Sequence, residues 1–257
     1  MRRRYQNFTP VPFDPRVSTV SLDFASNENL ANTTDANIGI ANNWSVLIWF
    51  RNPGTDTGLF HRILTFQEGA GNENRIDLDM EDANPAGDLG FQISNSAGTE
   101  FKSYKYANQL TIGAWTACLF TWNGTTLQAY YDGVAVAPST TPTDNAGTMT
   151  NTIREVWFGS QQGGTDDLTG RIHSVTVWDT AMDANGAYAA SAVGHNPDSG
   201  NYDYANNLVH WWRFGLPKVG EMVGSSFVCD AVETGGIDIS VNATNITDAD
   251  IISDAPS

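Results

Sequence analysis

The residues in this chain whose types and spacing could do chemistry are carboxylates, and the tightest group is Asp77-Leu78-Asp79-Met80-Glu81. Carboxyls at alternate positions of a strand share a face, because successive side chains point to opposite sides. Two carboxyls across a glycosidic bond can cleave it, and a retaining mechanism needs them about 5–5.5 Å apart. Residues i and i+4 of a strand start roughly 13 Å apart at about 3.3 Å per residue, and the first position here is Asp, one methylene shorter than Glu. The same three carboxyls could instead hold a cation. They could also be the solvent face of an alternating strand whose apolar side is Ile76, Leu78 and Met80, running into the acidic turn at Glu81, Asp82 and Asn84. The reach argument disfavours catalysis, and the solvent-face reading is the expectation. The four histidines (His61, His173, His195 and His210) have no metal-like spacing, and His173 and His210 fall within strand-like runs as core or sheet-face residues. No Ser/His/Asp or Cys/His constellation and no phosphate-cradling glycine loop is present, so no enzymatic activity is expected.

The elements that must position these residues are short strands. Val20, Leu22 and Phe24 alternate, as do Trp44, Val46, Ile48 and Phe50, and again Leu89, Phe91 and Ile93; Ile63 to Phe66 is a short apolar run. The clearest segment is 113–137. A strand from Trp115 to Trp122 meets Asn123-Gly124, returns from Leu127 to Tyr131, and turns again at Asp132-Gly133 into Val134-Ala135-Val136. Asn-Gly and Asp-Gly tolerate the positive φ of two-residue hairpin turns. A low-complexity loop from Pro138 to Asn151 precedes strands at Ile153–Phe158 and from Leu168 to Trp178. One helix is expected over roughly Met182–Val193, with Thr180 and Asp183 spaced as a capping box and Gly194 as its stop. A strand at Leu208–Phe214 follows, where Trp211 and Trp212 point to opposite faces; packing under the tail is the expectation for both, and stacking on a sugar the alternative for an exposed one. The last residues carry short strand candidates at Ser226–Cys229 and Ile237–Ile239.

Composition agrees with an all-β chain. Of 257 residues, 40% are hydrophobic and 16% charged, with 24 Gly, 8 Trp, 8 Tyr and 12 Phe. Aromatic and β-branched residues suit a half-buried pleated surface, while Gly, Asn and Asp suit tight turns. A net charge of −16 repels phosphate backbones, which argues against nucleic acid as a partner. Positive charge gathers at Arg2, Arg3 and Arg4, but Pro10, Pro12 and Pro15 follow instead of an apolar stretch, so the start reads as an extended arm rather than a signal peptide. No run of eighteen apolar residues exists, and no membrane span is expected. Cys118 and Cys229 read as buried free thiols in a chain kept in a cytoplasm. The Asn-x-Ser/Thr sequons, for example at Asn43 and Asn123, read as products of Asn/Thr-rich turns.

VSLDF near the start, SVLIWFR, the W-x-A-x-L-F-T-W-N-G-T-T-L-Q-A-Y-Y-D-G hairpin, and LTGRIHSVTVWDTAMD leading into a helix occur in this order over roughly residues 17–215. Together they resemble the laminin-G-like branch of the concanavalin A-like lectin/glucanase superfamily. The resemblance implies a concanavalin A-like jelly-roll sandwich of two antiparallel sheets with one short helix. It divides the chain into an N-terminal arm (1–16), the jelly-roll domain (17–215) and a C-terminal tail (216–257) packing on the domain or a neighbour. Asp77-Leu-Asp79-Met-Glu81 is similar to the Glu-x-Asp-x-Glu motif of the related β-glucanases, with Asp in place of the first Glu. Laminin-G-like domains often hold calcium at one rim, which makes Asp166 and Asp167 candidate ligands. Calcium needs six to eight oxygens at about 2.3–2.6 Å, more than two carboxylates supply, so Asn and Asp of neighbouring loops would have to complete the shell. A solvated turn is the favoured alternative. No other cofactor is expected.

The ending, LVHWWRFG followed by an acidic tail, resembles laminin-G-like proteins of tailed-bacteriophage particles. That resemblance implies a non-enzymatic virion component such as a capsid decoration protein, assembled in the host cytoplasm as a homo-oligomer. Arg2, Arg3, Arg4, Phe8 and Phe13 would then touch a partner such as a major capsid protein. The rival expectation is a carbohydrate-binding module of a phage tail or fibre that recognises host glycans.

Overall fold

The computed structural model describes residues 21–25, 28–33, 40, 42–52, 54, 61–69, 74–81, 87–107, 109–145, 147–149, 153–160, 166–192, 197, 203–214, 222–223, 226–227, 241–246 and 248–256. The arm, with Arg2, Arg3, Arg4, Phe8 and Phe13, lies outside them, as do Cys229 and the strand candidate at 237–239.

In chain order the strands begin with β1 (Ser21–Phe24), β2 (Asn29–Asn32), β3 (Trp44–Arg51), β4 (His61–Gln67), β5 (Ile76–Glu81) and β6 (Asp88–Ser94). Then come β7 (Glu100–Tyr106), β8 (Trp115–Trp122), β9 (Leu127–Tyr131), β10 (Val134–Val136), β11 (Thr143–Asp144), β12 (Glu155–Phe158) and β13 (Gly170–Trp178). Helix α1 (Ala184–Ala190) precedes β14 (Leu208–Arg213), and the tail supplies β15 (Met222–Val223), β16 (Ser226–Phe227), β17 (Val241–Thr244) and β18 (Ile251–Ile252).

These strands make a jelly-roll sandwich of two antiparallel sheets. The first sheet runs β10-β9-β8-β3-β13-β1-β18, with β14 also on β13; the second runs β11-β7-β6-β5-β4-β12-β2-β17-β16-β15. Strand β13 makes this layout possible. One of its edges ladders along β3, while the other is shared by β1 at residues 170–172 and β14 at 174–178. The tail is woven into both sheets, β17 beside β2 and β18 beside β1. No helix among the described residues is long and apolar enough to cross a membrane.

Alternation explains the core. Trp44, Val46, Ile48 and Phe50 of β3 face Ile76, Leu78 and Met80 of β5 and their neighbours across the sandwich, all nearly or fully buried. Phe91 stacks on Phe120 with ring centroids 4.6 Å apart, and Tyr131 meets Phe120 edge-on at 6.1 Å. Trp211 and Trp212 are both buried, so neither is a sugar platform. Cys118 is a buried free thiol, pushed well above its ordinary pKa by burial, which disfavours the reactive thiolate.

Several local expectations are corrected. Asn123-Gly124 does not make a two-residue hairpin: Trp122 pairs with Leu127, and the Asn123 side chain accepts from the Thr125 and Thr126 amides at 3.0 and 2.7 Å. The side-chain bonds stabilise this longer turn. The Asp132-Gly133 turn does have both residues at positive φ, 49° and 77°. Strand β11 forms inside the stretch read as a loop, held by pairing with β7. The helix is shorter than expected, and its cap is Asp183, whose carboxylate accepts from the Gly186 amide at 2.8 Å, rather than Thr180.

Candidate functional site

The Asp77–Glu81 strand is β5, and its apolar residues do face the core. The expectation that its acidic face meets solvent is wrong for the two aspartates: Asp77 is 4% exposed and Asp79 2%. The Glu81 side chain lies outside the described residues. In register, Arg62 of β4 stands opposite Asp79 and Thr65 opposite Asp77. Arg62 Nη1 lies 2.6 Å from Asp79 and 3.1 Å from Asp77, and Arg75 Nε is 2.6 Å from Asp77. The Thr65 hydroxyl donates to Asp77 at 2.8 Å. Arg62 and Arg75 thus meet the two aspartate side chains on the outer side of the second sheet. Guanidinium donors already occupy these oxygens, which suits neither a nucleophile nor a cation.

Burial lifts the Asp79 carboxyl to about 8; Arg62 opposes the rise and neighbouring Asp77 adds to it. An acid raised in this way keeps a proton that the unfolded chain has released above its ordinary 3.8. Its contribution to stability is therefore present at low pH and lost as pH climbs towards about 8. Chemical denaturation across that interval should show the wild type weakening, and Asp79→Asn should flatten the slope. An unchanged slope in the variant would contradict the protonated state.

Asp166 and Asp167 sit beside the start of β4. The Asp166 carbonyl accepts from the Arg62 amide at 2.7 Å, and the Asp167 carbonyl lies 2.7 Å from His61 Nδ1. Two backbone oxygens that a calcium ion could have used are already engaged. No group of three His, Cys, Asp or Glu residues among the described ones could hold a metal ion.

An open site lies on the other face of the molecule, and sequence reasoning missed it. The outward residues of β3 are Leu47, Trp49 and Arg51, opposite Leu119, Ala117 and Trp115 of β8. Helix α1 covers the first part of this apolar face with Ala187 and Ala190. Past its end at Ser191 the face continues as Trp49 and half-buried Trp115, forming a groove of about 560 Å³ with Arg51, Asp132 and Asp254. The signal available in the sequence was the outward phase of β3, where large apolar side chains occupy positions that alternation assigns to solvent.

A cross-strand row runs from the groove's Trp115 and Arg51 to its side. Trp115 pairs with Arg51, Arg51 with Arg171, and Arg171 with Asp23, across β8, β3, β13 and β1. Gly113, at φ +75°, offers its carbonyl to Arg51 Nε at 2.8 Å. Asp23 accepts from Arg171 at 3.3 and 3.4 Å. Asp254 of the tail lies over the row, its Oδ2 accepting from both Arg51 Nη1 and Arg171 Nη1, and its Oδ1 accepting from Trp115 Nε1 at 3.3 Å. Burial works to raise the Asp254 carboxyl, but the bonds from Arg171 and Trp115 and the charge of Arg51 hold it below its ordinary value.

The two-sheet antiparallel jelly roll is the architecture of the concanavalin A-like sandwiches. A family model of the concanavalin A-like lectin/glucanases superfamily matches residues 25–186, and the chain belongs to that superfamily. Among solved structures, it is similar to a Bacteroides ovatus protein provisionally named as carbohydrate-binding, with a TM-score of 0.59 at 17% identity over 89% of this chain. The chain spans 58% of the length of that protein. It is also similar to a heptameric SAP-like pentraxin from Limulus polyphemus, with a TM-score of 0.53 at 14% identity, covering 90% of this chain and 97% of the other. At these identities the likeness is one of fold. No curated protein sequence matches the chain.

Proposed function

We propose that this domain is a non-enzymatic carbohydrate-binding module, and that its sugar site is the groove beside Trp115. The observation that carries the reading is an open groove of about 560 Å³ with Trp49 and Trp115 next to Arg51, Asp132, Ser191 and Asp254. Its size lies within the range of small-molecule sites, about 300–1,000 Å³. Indole faces pack against the apolar C–H side of a pyranose, while convergent polar groups bond its hydroxyls. Membership of a superfamily named for lectins, and likeness in fold to a protein provisionally named as carbohydrate-binding, agree with it. The buried Arg62–Asp77–Asp79–Arg75 cluster supports a structural rather than catalytic use of the β-glucanase-like strand.

The virion reading finds no support in these relatives, and the arm on which it leans is outside the described residues. Glycan recognition is therefore preferred to capsid decoration.

A glycan array probed with the full chain tests the proposal. Binding of at least one saccharide is expected, and Trp115→Ala should weaken it by about 2 kcal/mol or more, roughly thirtyfold, as truncation of a central aromatic anchor does. Equal binding by both proteins would place the site elsewhere.

A further inference from the structure

We infer that the Arg51–Arg171–Trp115 clamp is a subsite for the carboxylate of an acidic sugar, and that Asp254 of the C-terminal tail occupies it when no ligand is bound. The inference rests on the carbohydrate-binding reading and adds the class of sugar.

Register creates the clamp. Arg51 and Arg171 stand directly opposite one another on neighbouring strands, β3 and β13. Like charges so placed destabilise a sheet unless an anion lies between them. Each arginine is fixed from behind, Arg51 by the Gly113 carbonyl and Arg171 by Asp23, so both present Nη1 to the same point. The indole N–H of Trp115 completes a three-donor site. Asp254 shows what fits there: one carboxylate oxygen bridges the guanidiniums and the other meets the indole. Two guanidiniums and an N–H around one carboxylate match the charge and planarity of that group, where a hydroxyl would satisfy fewer donors.

The backbone that carries this occupant is tethered by a short ladder. Asp254 lies just past β18, which pairs with β1 only through Ser21–Ile252 and Leu22–Ile251. The pair Arg51–Asp254 is about a quarter exposed at each side chain, 29% and 25%, so solvent already reaches it. The adjoining groove with half-buried Trp115 favours a sugar as the bearer of the incoming carboxylate, because a ring seated on that indole would place its acid group at the clamp.

The test is a titration of the full-length wild type and Asp254→Asn with methyl β-D-glucuronide, N-acetylneuraminic acid, methyl β-D-glucoside and an acidic peptide. A self-ligand that fills the site about nine-tenths of the time lowers apparent affinity about tenfold. The variant should therefore bind at least one of the two acidic sugars about tenfold more tightly, with no comparable gain for the neutral glucoside. Which acidic sugar gains separates a uronate from a sialate source. Added Arg171→Gln should abolish the gain, and high salt should shrink it. Asp183→Asn makes the same change of charge at the cap of α1 and should give no gain, since Asn also caps helices well. If Asp254→Asn gains nothing for either acidic sugar while the glucoside still binds, the clamp is not a ligand subsite and the lectin reading stands. If no saccharide binds either protein here or on the glycan array, the lectin reading falls and the inference with it. A gain confined to the acidic peptide would overturn the sugar assignment in favour of a protein tail as ligand.

Discussion

Asp77→Asn should lower the unfolding free energy by about 3–5 kcal/mol, as removal of one partner from a buried ion cluster does, whereas Asp79→Asn should change it by less than about 1 kcal/mol at neutral pH. The two residues lie two apart on one face of one strand, yet their surroundings differ. Asp77 accepts from Thr65 and pairs with both Arg62 and Arg75. Replacing it with an amide removes the charge that both guanidiniums need and sets donor against donor. Asp79 is raised to about 8 by burial, so an uncharged amide resembles its neutral-pH form. Urea denaturation of the two variants measures the asymmetry. Equal losses would mean that the charge in the cluster is shared, and that burial of Asp79 is answered by Arg62 alone.

Phe120→Ala should cost about 3–5 kcal/mol, the usual range for a large aromatic in a packed core. Phe120 is fully buried, stacked on Phe91 at 4.6 Å and edge-on to Tyr131 at 6.1 Å, with Tyr106 at 6.1 Å. These neighbours come from β6, β7 and β9 in both sheets, so the cavity would open where the sheets meet and could not collapse by moving one strand. In a domain of this size each kcal/mol shifts the midpoint by roughly 2–4 °C, so thermal melting should fall by roughly 6–20 °C. A fall of only a degree or two would show that the two aromatic layers repack around the gap.

Strand periodicity made most of the sandwich legible. The 115–136 hairpin pair, the alternation of β3 and β5, and the apolar run of β4 all appear where side-chain type dictates them. Cap and turn details were less legible because side chains with equal capping ability compete: Asp183, not Thr180, reaches the helix amides, and Asn123 builds a longer turn than its Asn-Gly pair implies. The burial of Asp77 and Asp79 could not be read at all. Alternation says which face a residue is on, but not whether that face is covered. The groove was hidden for a different reason. Asp23, Arg51, Trp115 and Arg171 come together only through the register of four strands, and Asp254 arrives from the far end of the chain. What the sequence did show, without its meaning being evident, was a tryptophan followed two residues later by an arginine on the outward phase of β3.

The central claim is that sugar sits on Trp115. The 8 tryptophans give eight indole N–H resonances, and a Trp115→Phe variant identifies the one in question. Titrating a glycan selected on the array into 15N-labelled protein should move the Trp115 indole resonance furthest, since its N–H now bonds Asp254, with Trp49 at the groove wall next and the deeper Trp44, Trp178 and Trp212 nearly still. Saturable binding that leaves the Trp115 and Trp49 resonances unmoved would contradict the account.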